Sequence, residues 1–199
     1  MTFQSDKYQI IRGAISKELA AFVSEYFLLK RRVADTMYDH NFLTPDITDF
    51  GVYNDGQVPD TYSHYADIVM ETLLDWVRPT MERHTCLMLT PTYSYARIYK
   101  KGDVLPRHTD RSGCEISTTM NLGGEPWSIY LEPEIKIDLE PGDMLIYSGC
   151  ELEHWRNKFQ GETCIQVFLH YSANGTNRFD GRPHLGLSEA FNSINRIQA

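Results

Sequence analysis

The pattern of hydrophobic and polar positions divides the 199-residue chain into a helical first part and a strand-rich second part. From Ser16, a residue type that favours helix N-caps, apolar residues recur at helical spacing until the basic run at 30–32, where the pattern predicts the helix end. A second apolar stripe predicts a helix from about Ser63, which Pro79 breaks or kinks. The turn-rich stretch 44–62 between them predicts a long excursion without regular structure.

After Pro91 the pattern changes to short alternating or apolar runs. The runs read "YSYARIY", "ISTTMNL", "WSIYLE", "IKIDL", "DMLIY" and "CIQVFLHY", and the turn sequences "GGEP" and "EPGD" punctuate them. With short extended pieces around His108 and His154, the count is about eight strands, a number typical of a jelly roll. The sequence therefore predicts a mainly β (α+β) fold, in which a jelly-roll core carries N-terminal helices packed on one sheet.

The length favours a single domain over residues 1–199 with a sizeable core. Within it, we expect a helical support region at 1–90, a jelly-roll core at 91–172 and a tail at 173–199. The tail sequence "LSEAFNSINRIQ" predicts a short terminal helix.

Charge and composition narrow the class of partner. The net charge of −8 and the pI of about 5.3 argue against broad binding to nucleic acid or to an anionic membrane. The sequence has no apolar run of signal-peptide length at its start and none near the ~20 residues of a membrane span. Four scattered cysteines without a C-x-x-C suggest free thiols, so we expect a cytoplasmic protein. The oligomeric state does not follow from the sequence.

The stretch "LPRHTDRSGCE" contains the first candidate chemistry. His108 and Asp110 are two residues apart, so in a strand both face the same side. His154 follows "DMLIY" and is the best candidate for a third ligand. Two histidines and one carboxylate on one face of a metal are the ligands of non-haem Fe(II) oxygenases. The H-x-D spacing alone also fits a histidine that merely caps a loop.

The segment "YSYARIY" places Tyr93, Tyr95, Arg97 and Tyr99 on one face of a strand. Three tyrosines and an arginine are unusual for a dry core, because each polar tip needs a partner. This face suits the wall of a pocket. The alternative, for Tyr93 above all, is a core aromatic with a satisfied hydroxyl.

Three ordered segments, "RIYKKGDVLPRHTD", "LEPGDMLIY" and "EHWRNKFQGETCIQVFLHY", resemble the 2-oxoglutarate- and Fe(II)-dependent dioxygenases, particularly the prolyl-4-hydroxylase-like branch. The resemblance implies a double-stranded β-helix that holds Fe(II) through His108, Asp110 and His154. It implies 2-oxoglutarate and O₂ as cosubstrates, succinate and CO₂ as products, and ascorbate as a supporting reductant. By the subfamily, the substrate is a peptidyl or free amino acid, with proline first.

One position departs from the family pattern. The family usually has an Arg or Lys at the start of the final strand to pair with the distal carboxylate of 2-oxoglutarate, but this chain has Thr163 there. We expect Arg156 to replace it, because Arg156 follows His154 by two and shares its face. Arg97 is the rival, and a plain surface role for Arg156 is the alternative. Tyr99 matches the family's tyrosine that commonly touches the cosubstrate. The position of Thr163 in the family pattern implies that its hydroxyl also contacts the cosubstrate.

Tyr95, Arg97 and Trp155 complete the predicted substrate pocket. Two other functions stay open at this point. The first is oxidative demethylation of nucleic-acid bases, against which the acidic pI counts. The second is a cupin-like protein that binds a metal or ligand without catalysis, which the missing cation at Thr163 favours.

Overall fold

The computed structural model describes residues 2–44, 47–53, 55–173, 181–188 and 191, and these contain ten strands and three α-helices. The strands are β1 (Tyr8–Ile11), β2 (Tyr62–Tyr65), β3 (Leu89–Lys100), β4 (Leu105–His108), β5 (Ile116–Gly124), β6 (Ile129–Leu131), β7 (Ile135–Ile137), β8 (Met144–Ser148), β9 (His154–Arg156) and β10 (Thr163–Ala173). The helices are α1 (Phe3–Asp6), α2 (Lys17–Asp39) and α3 (Ile68–Thr85), and a single 3₁₀ turn spans Ser112–Cys114.

The strands form two antiparallel sheets. The larger sheet has the order β1-β8-β5-β10-β3-β2, and the smaller has the order β4-β9-β6-β7. The predicted mainly β, jelly-roll architecture is confirmed. The count exceeds the predicted eight because β1 and β2, which lie in the region predicted to be helical, add a strand to each edge of the larger sheet.

The two faces of the larger sheet have different roles. On β10, Ile165, Val167 and Leu169 belong to the main apolar core, which also includes buried residues of α2 and α3. The alternate positions face the smaller sheet and include Gln166, which contacts Arg156 of β9. Because side chains alternate along a strand, the polar residues of β3, β5 and β10 converge between the two sheets. The polar side chains therefore face the space between the sheets, and the helices cover the outer face of the larger sheet.

The helices follow the sequence prediction in part. Ser16 caps α2 as expected, since its hydroxyl accepts from the N–H of Leu19 at 3.2 Å, but α2 continues to Asp39 beyond the basic run. The predicted start near Ser63 is wrong, because 62–65 form β2 and Asp67 caps α3.

Pro79 does not end α3, which continues to Thr85. Met81 and Thr85, beyond the proline, are buried, and this packing outweighs the lost hydrogen bond. No described helix is long and apolar enough to cross a membrane. The predicted terminal helix falls mostly outside the described residues.

Candidate metal centre and its pocket

The structure brings His108, Asp110 and His154 together at one end of the space between the sheets. Antiparallel pairing of β4 with β9 sets His108 opposite His154, and Asp110 follows β4 by two residues. The Nε2 atoms of His108 and His154 lie 3.7 and 3.5 Å from Oδ1 of Asp110, and the two rings are 4.2 Å apart. One potential ligand atom from each residue lies within 4.8 Å of the others, a spacing that suits a shared divalent ion.

Hydrogen bonds to the backbone fix how each imidazole is presented. Nδ1 of His108 lies 2.7 Å from the carbonyl oxygen of Pro106, and Nδ1 of His154 lies 3.1 Å from that of Leu152. A carbonyl only accepts, so each Nδ1 carries the proton and each Nε2 has a lone pair. In His108 this lone pair accepts a hydrogen bond from the Gln57 amide at 2.9 Å, a contact that a bound metal would replace. Burial lowers the pKa of His108, and the neighbouring His154 lowers it further, which favours the neutral, metal-binding form.

Asp110 presents one oxygen to the histidines and is held through the other. Its Oδ2 accepts a hydrogen bond from the Ser117 hydroxyl at 2.8 Å, and its N–H donates to the carbonyl of Gly149 at 2.8 Å. Burial alone would raise the pKa of Asp110, but the neighbouring His154 and His170 and the hydrogen bond from Ser117 lower it. Asp110 is therefore an anionic candidate ligand, and the donor set fits a non-haem iron.

A cavity of about 530 Å³ opens directly at these three residues. Its wall carries both charge and aromatic rings, and it is large enough for a small molecule or a side chain with the cosubstrate. The wall includes Asp55, Gln57, Tyr65, Tyr93, Tyr95, Arg97, Tyr147, Phe168 and His170.

Arg97 lies in the cavity wall and is paired with a carboxylate. Its Nε donates to Oδ2 of Asp55 at 2.7 Å, and Nη2 contacts the same oxygen and Oε1 of Gln57. The Tyr95 hydroxyl also donates to Asp55, at 2.7 Å. Burial alone would lower the pKa of Arg97, but Tyr99, Tyr95 and Asp55 raise it. Arg97 therefore has a buried anionic partner supplied by the protein.

Arg156 differs from Arg97 in this respect. It is 1% exposed, and among the described residues it forms no ion pair. Its guanidinium donates to the backbone carbonyl of Trp127 and makes 3.3 Å contacts with Thr119 and Gln166, while Nε has no hydrogen-bond partner in the part of the chain that the structure describes. Burial lowers the pKa of Arg156. A buried cation without an anionic partner is costly, so this site favours an anion from outside the chain.

Arg156 is not part of the cavity wall; it lies deeper, on the same strand and face as His154. Thr119, which it contacts, lies one inward-facing position along β5 from Ser117, the residue that contacts Asp110. The unpaired guanidinium is therefore farther into the barrel than the three candidate ligands. A surface position for Arg156, the alternative left open by the sequence, is excluded by its burial.

The other predicted pocket residues have different positions. Tyr99 is fully buried, and its hydroxyl accepts from Nη1 of Arg97 at 3.2 Å. Tyr95 and Arg97 line the cavity. Trp155 was predicted to face the pocket, but period two turns it outward from its neighbours His154 and Arg156. It stacks on Tyr130 with ring centroids 5.6 Å apart and lies beneath Arg107.

Thr163 also faces away from the pocket. It shares a face of β10 with Ile165 and Val167, which belong to the helix-covered core, and Cys164 takes the inward position opposite Tyr99. The structure thus gives no support for a cosubstrate contact by Thr163.

Sequence reasoning missed several residues of the site. Asp55 and Gln57 belong to the excursion predicted as irregular, and nothing local indicates that this loop returns over the cavity. Tyr147, Ser117 and His170 lie on inward faces of β8, β5 and β10, and their ring or hydroxyl groups lie next to the candidate ligands. Each of these three is a residue with a polar group within an otherwise apolar strand, and this pattern could have indicated that they line the site.

Comparison with known proteins finds similar structures but no similar sequence family. No family model matches the chain, and none of the curated proteins matches it in sequence. A prolyl-4-hydroxylase from Pseudomonas putida superposes with a TM-score of 0.60 at 14% identity, over 87% of this chain and 96% of that one. HygX from Streptomyces hygroscopicus, with nickel and 2-oxoglutarate bound, gives 0.59 at 12% identity, over 89% and 87%.

The same fold also occurs in proteins with other reactions. SnoN, a non-haem α-ketoglutarate-dependent epimerase from nogalamycin biosynthesis, gives a TM-score of 0.63 at 12% identity, over 94% of this chain and 89% of that one. Likeness at such identities is a statement about architecture and not about the substrate. The chain therefore has the fold of the 2-oxoglutarate- and Fe(II)-dependent oxygenases, which includes the prolyl hydroxylases.

Proposed function

We propose that this chain is an Fe(II)- and 2-oxoglutarate-dependent oxygenase that hydroxylates an amino-acid substrate, peptidyl or free. The observation that carries the proposal is a pair of sites on one strand. His154 of β9 joins His108 and Asp110 in a two-histidine, one-carboxylate cluster, and Arg156, two residues on, is a buried cation with no carboxylate among the described residues. A metal and a dicarboxylic acid together would satisfy both.

The residues of the chain have separable roles in this reaction. His108, Asp110 and His154 would hold Fe(II), with Nε2, Oδ1 and Nε2 as ligand atoms. When bound, iron and 2-oxoglutarate activate O₂ and oxidise a substrate C–H bond, with succinate and CO₂ as the cosubstrate's products. Arg156 would bind the far carboxylate of 2-oxoglutarate, exchanging its long contacts with Thr119 and Gln166 for a charge-paired bond.

Tyr99 would position the cosubstrate indirectly or by a hydroxyl contact, since it lies beside Arg97 and is fully buried. Around it, Trp127 and Phe159 exclude water from the interior, with the Tyr99 and Trp127 rings 4.8 Å apart and those of Trp127 and Phe159 5.0 Å apart. A dry surrounding strengthens the pairing of Arg156 with an anion.

The substrate side is the cavity wall. Tyr95, Tyr93 and the Asp55–Arg97 pair offer donors and acceptors around a volume of about 530 Å³, which suits one amino-acid side chain or a small polar molecule. Among proteins of this fold, one prolyl hydroxylase from Trichoplax adhaerens is described in complex with a hypoxia-inducible-factor peptide fragment. Proline-containing peptides are therefore the first substrates to test.

Turnover of 2-oxoglutarate tests the proposal. With Fe(II), O₂ and ascorbate as reductant, we expect succinate to form slowly without a substrate and faster with the correct one. Asp110→Ala removes the only anionic ligand of the cluster and should abolish succinate formation. Equal succinate formation by the wild type and Asp110→Ala would contradict the proposal.

The same assay separates the two other functions. A metal-binding protein without catalysis would bind the ion and form no succinate. A demethylase would accelerate succinate formation with methylated oligonucleotides and not with peptides.

A further inference from the structure

Ser117 and His170 lie directly behind Asp110, and strand pairing places them there. They are opposite residues in the β5–β10 ladder, and Tyr147 and Tyr93 continue the same row on the neighbouring strands. Ser117 is fully buried and His170 is 6% exposed. Neither residue belongs to the cluster of His108, Asp110 and His154, so their placement needs a separate explanation.

The three side chains form a continuous hydrogen-bonded row. The Ser117 hydroxyl lies 2.8 Å from Oδ2 of Asp110, and the same oxygen lies 2.9 Å from Nδ1 of His170. The carbonyl of Cys114, 3.0 Å from the hydroxyl, is a weaker competitor for its hydrogen because it carries no charge.

The direction of each hydrogen bond follows from the number of hydrogens. A serine hydroxyl has one hydrogen, and the carboxylate of Asp110 can only accept. The hydroxyl therefore donates to Asp110, and Nδ1 of His170 must carry the hydrogen that it shares with the Ser117 oxygen. In this row, Nδ1–H of His170 donates to the Ser117 oxygen, and the Ser117 hydroxyl donates to Oδ2 of Asp110. Each of these donors has an acceptor.

This row constrains the metal site through Asp110. A free carboxylate rotates and can offer a metal one oxygen or two. Because Ser117 occupies Oδ2, the carboxylate offers only Oδ1 to the side where the Nε2 atoms of His108 and His154 lie. A second constraint is the backbone of Gly149, which packs closely against Asp110: a Cβ on this residue would clash with Oδ2 and with the carbonyl oxygen of Cys114, and would lie 2.7 Å from the Ser117 hydroxyl. The row leaves the carboxylate little freedom to turn.

We propose that Ser117 and His170 are positioning residues that fix Asp110 as a one-oxygen metal ligand, with His170 acting through Ser117. The inference rests on the metal centre of the proposed function. Hydrogen-bond partners behind a metal ligand are typically worth 10–100-fold in metal affinity. Ser117→Ala should therefore weaken Ni(II) binding by roughly 10-fold or more, and His170→Leu should weaken it in the same direction.

The experiment is calorimetric titration of Ni(II) into purified full-length variants, with the visible absorption of the Co(II)-loaded protein as a second readout. The Co(II) bands should shift in Ser117→Ala, because the freed carboxylate presents its oxygens to the metal differently. A general loss of packing would weaken binding without that specific change in ligand geometry. Since the residues act in series, Ser117→Ala with His170→Leu should be no more than a few-fold weaker than Ser117→Ala alone.

Two control variants sharpen the result. Ser94→Ala makes the same chemical change at another buried serine of the same sheet and should keep wild-type affinity, because the Ser94 hydroxyl has no hydrogen-bond partner within the described ranges. His170→Asn places an amide N–H close to the position of Nδ1 and should restore most of the affinity lost in His170→Leu. Thermal unfolding of each variant establishes that it is folded.

The outcomes separate the two proposals. If the wild type binds no Ni(II), the metal centre itself is wrong and this inference falls with it. If the wild type binds Ni(II) and Ser117→Ala binds it equally well, or if His170→Asn is as weak as His170→Leu, the inference is overturned and the metal centre stands.

Discussion

The two buried arginines between the sheets allow one substitution, Arg to Met, to be compared at a paired and an unpaired site. Arg97 is paired with Asp55, whereas Arg156 forms no ion pair among the described residues. Met keeps an unbranched apolar side chain and removes the charge. We expect Arg156→Met to abolish tight binding of 2-oxoglutarate at little cost in stability. We expect Arg97→Met to lower stability and to leave 2-oxoglutarate binding intact.

The expected losses of 2-oxoglutarate affinity and of stability in Arg156→Met follow from the surroundings of Arg156. Removing one partner of a buried charge pair costs about 3–5 kcal/mol, because the other charge stays buried and unpaired. At about 1.4 kcal/mol per factor of ten, the dissociation constant of 2-oxoglutarate should rise by about two to four orders of magnitude. Without 2-oxoglutarate, the substitution relieves an uncompensated buried charge and loses one short and two 3.3 Å hydrogen bonds. These terms oppose each other, so the free energy of unfolding should stay within about 1 kcal/mol of the wild type or rise.

Arg97→Met breaks an existing pair and leaves the Asp55 carboxylate, whose side chain is 9% exposed, with the Tyr95 hydroxyl and the Gln57 N–H as its donors among the described residues. Its free energy of unfolding should therefore fall by about 3–5 kcal/mol. Arg107→Met is the matched control on β4, since Arg107 forms a half-exposed pair with Glu153 and such pairs contribute little.

The assay has two parts: calorimetric titration of 2-oxoglutarate into Ni(II)-loaded protein, and urea unfolding of the metal-free protein. If Arg97→Met no longer binds 2-oxoglutarate and Arg156→Met still binds it, the cosubstrate pairs with Arg97 instead of Arg156. If Arg156→Met loses more than about 3 kcal/mol of stability, Arg156 is a structural residue and the reasoning from its unpaired charge is refuted.

Three further predictions concern stability, packing and pH. Gly149→Ala should weaken Ni(II) binding at least about 10-fold, because the new Cβ meets Oδ2 of Asp110, the Ser117 hydroxyl and the carbonyl oxygen of Cys114, all of which hold the carboxylate in place; unchanged calorimetric affinity would contradict this. Glu71→Gln should lower the free energy of unfolding by about 3–5 kcal/mol, since it leaves the buried Arg182 guanidinium without its carboxylate; urea unfolding measures the loss, and a loss below about 1 kcal/mol would contradict it. Burial lowers the pKa of His64 to about 4 from an ordinary 6.5, with Lys30 contributing, so the unfolded state takes up a proton before the folded state does. The contribution of His64 to stability is then fully present above pH 6.5 and is lost as the pH falls towards 4, by at most about 3 kcal/mol. His64→Phe should therefore reduce the slope of the free energy of unfolding, measured with urea, against pH between 4 and 6.5. An unchanged slope would contradict this prediction.

Period-two alternation predicted the β architecture without any knowledge of tertiary structure, and it placed His154 and Arg156 on a common face. His154 itself was predicted from its position after "DMLIY" and from the family resemblance. Asp110 was predicted to share a strand face with His108, but β4 ends at His108 and Asp110 follows it. The same rule, applied to Trp155 and Thr163, would have turned both away from the pocket. The family pattern, rather than the alternation, led to the assignment of Thr163.

Other features depend on contacts far apart in the sequence. Asp55 and Gln57 reach the cavity only because the 44–62 excursion folds back against β3, where Arg97 holds it. The strand at 62–65 read as helix because Tyr65 continues the apolar stripe of α3, and its pairing with β3 overrides that local preference. The pairing of Ser117 with His170 requires the register of β5 against β10, which no local pattern fixes.

A crystal structure of the protein with Ni(II) or anaerobic Fe(II) and 2-oxoglutarate tests the central claim most directly. The account predicts one metal ion bound by Nε2 of His108, Oδ1 of Asp110 and Nε2 of His154 at about 2.0–2.2 Å. It also predicts that 2-oxoglutarate contacts the metal with one end and Arg156 with its far carboxylate. A metal bound without His154, or a 2-oxoglutarate whose far carboxylate pairs with Arg97 or lies away from Arg156, would contradict it.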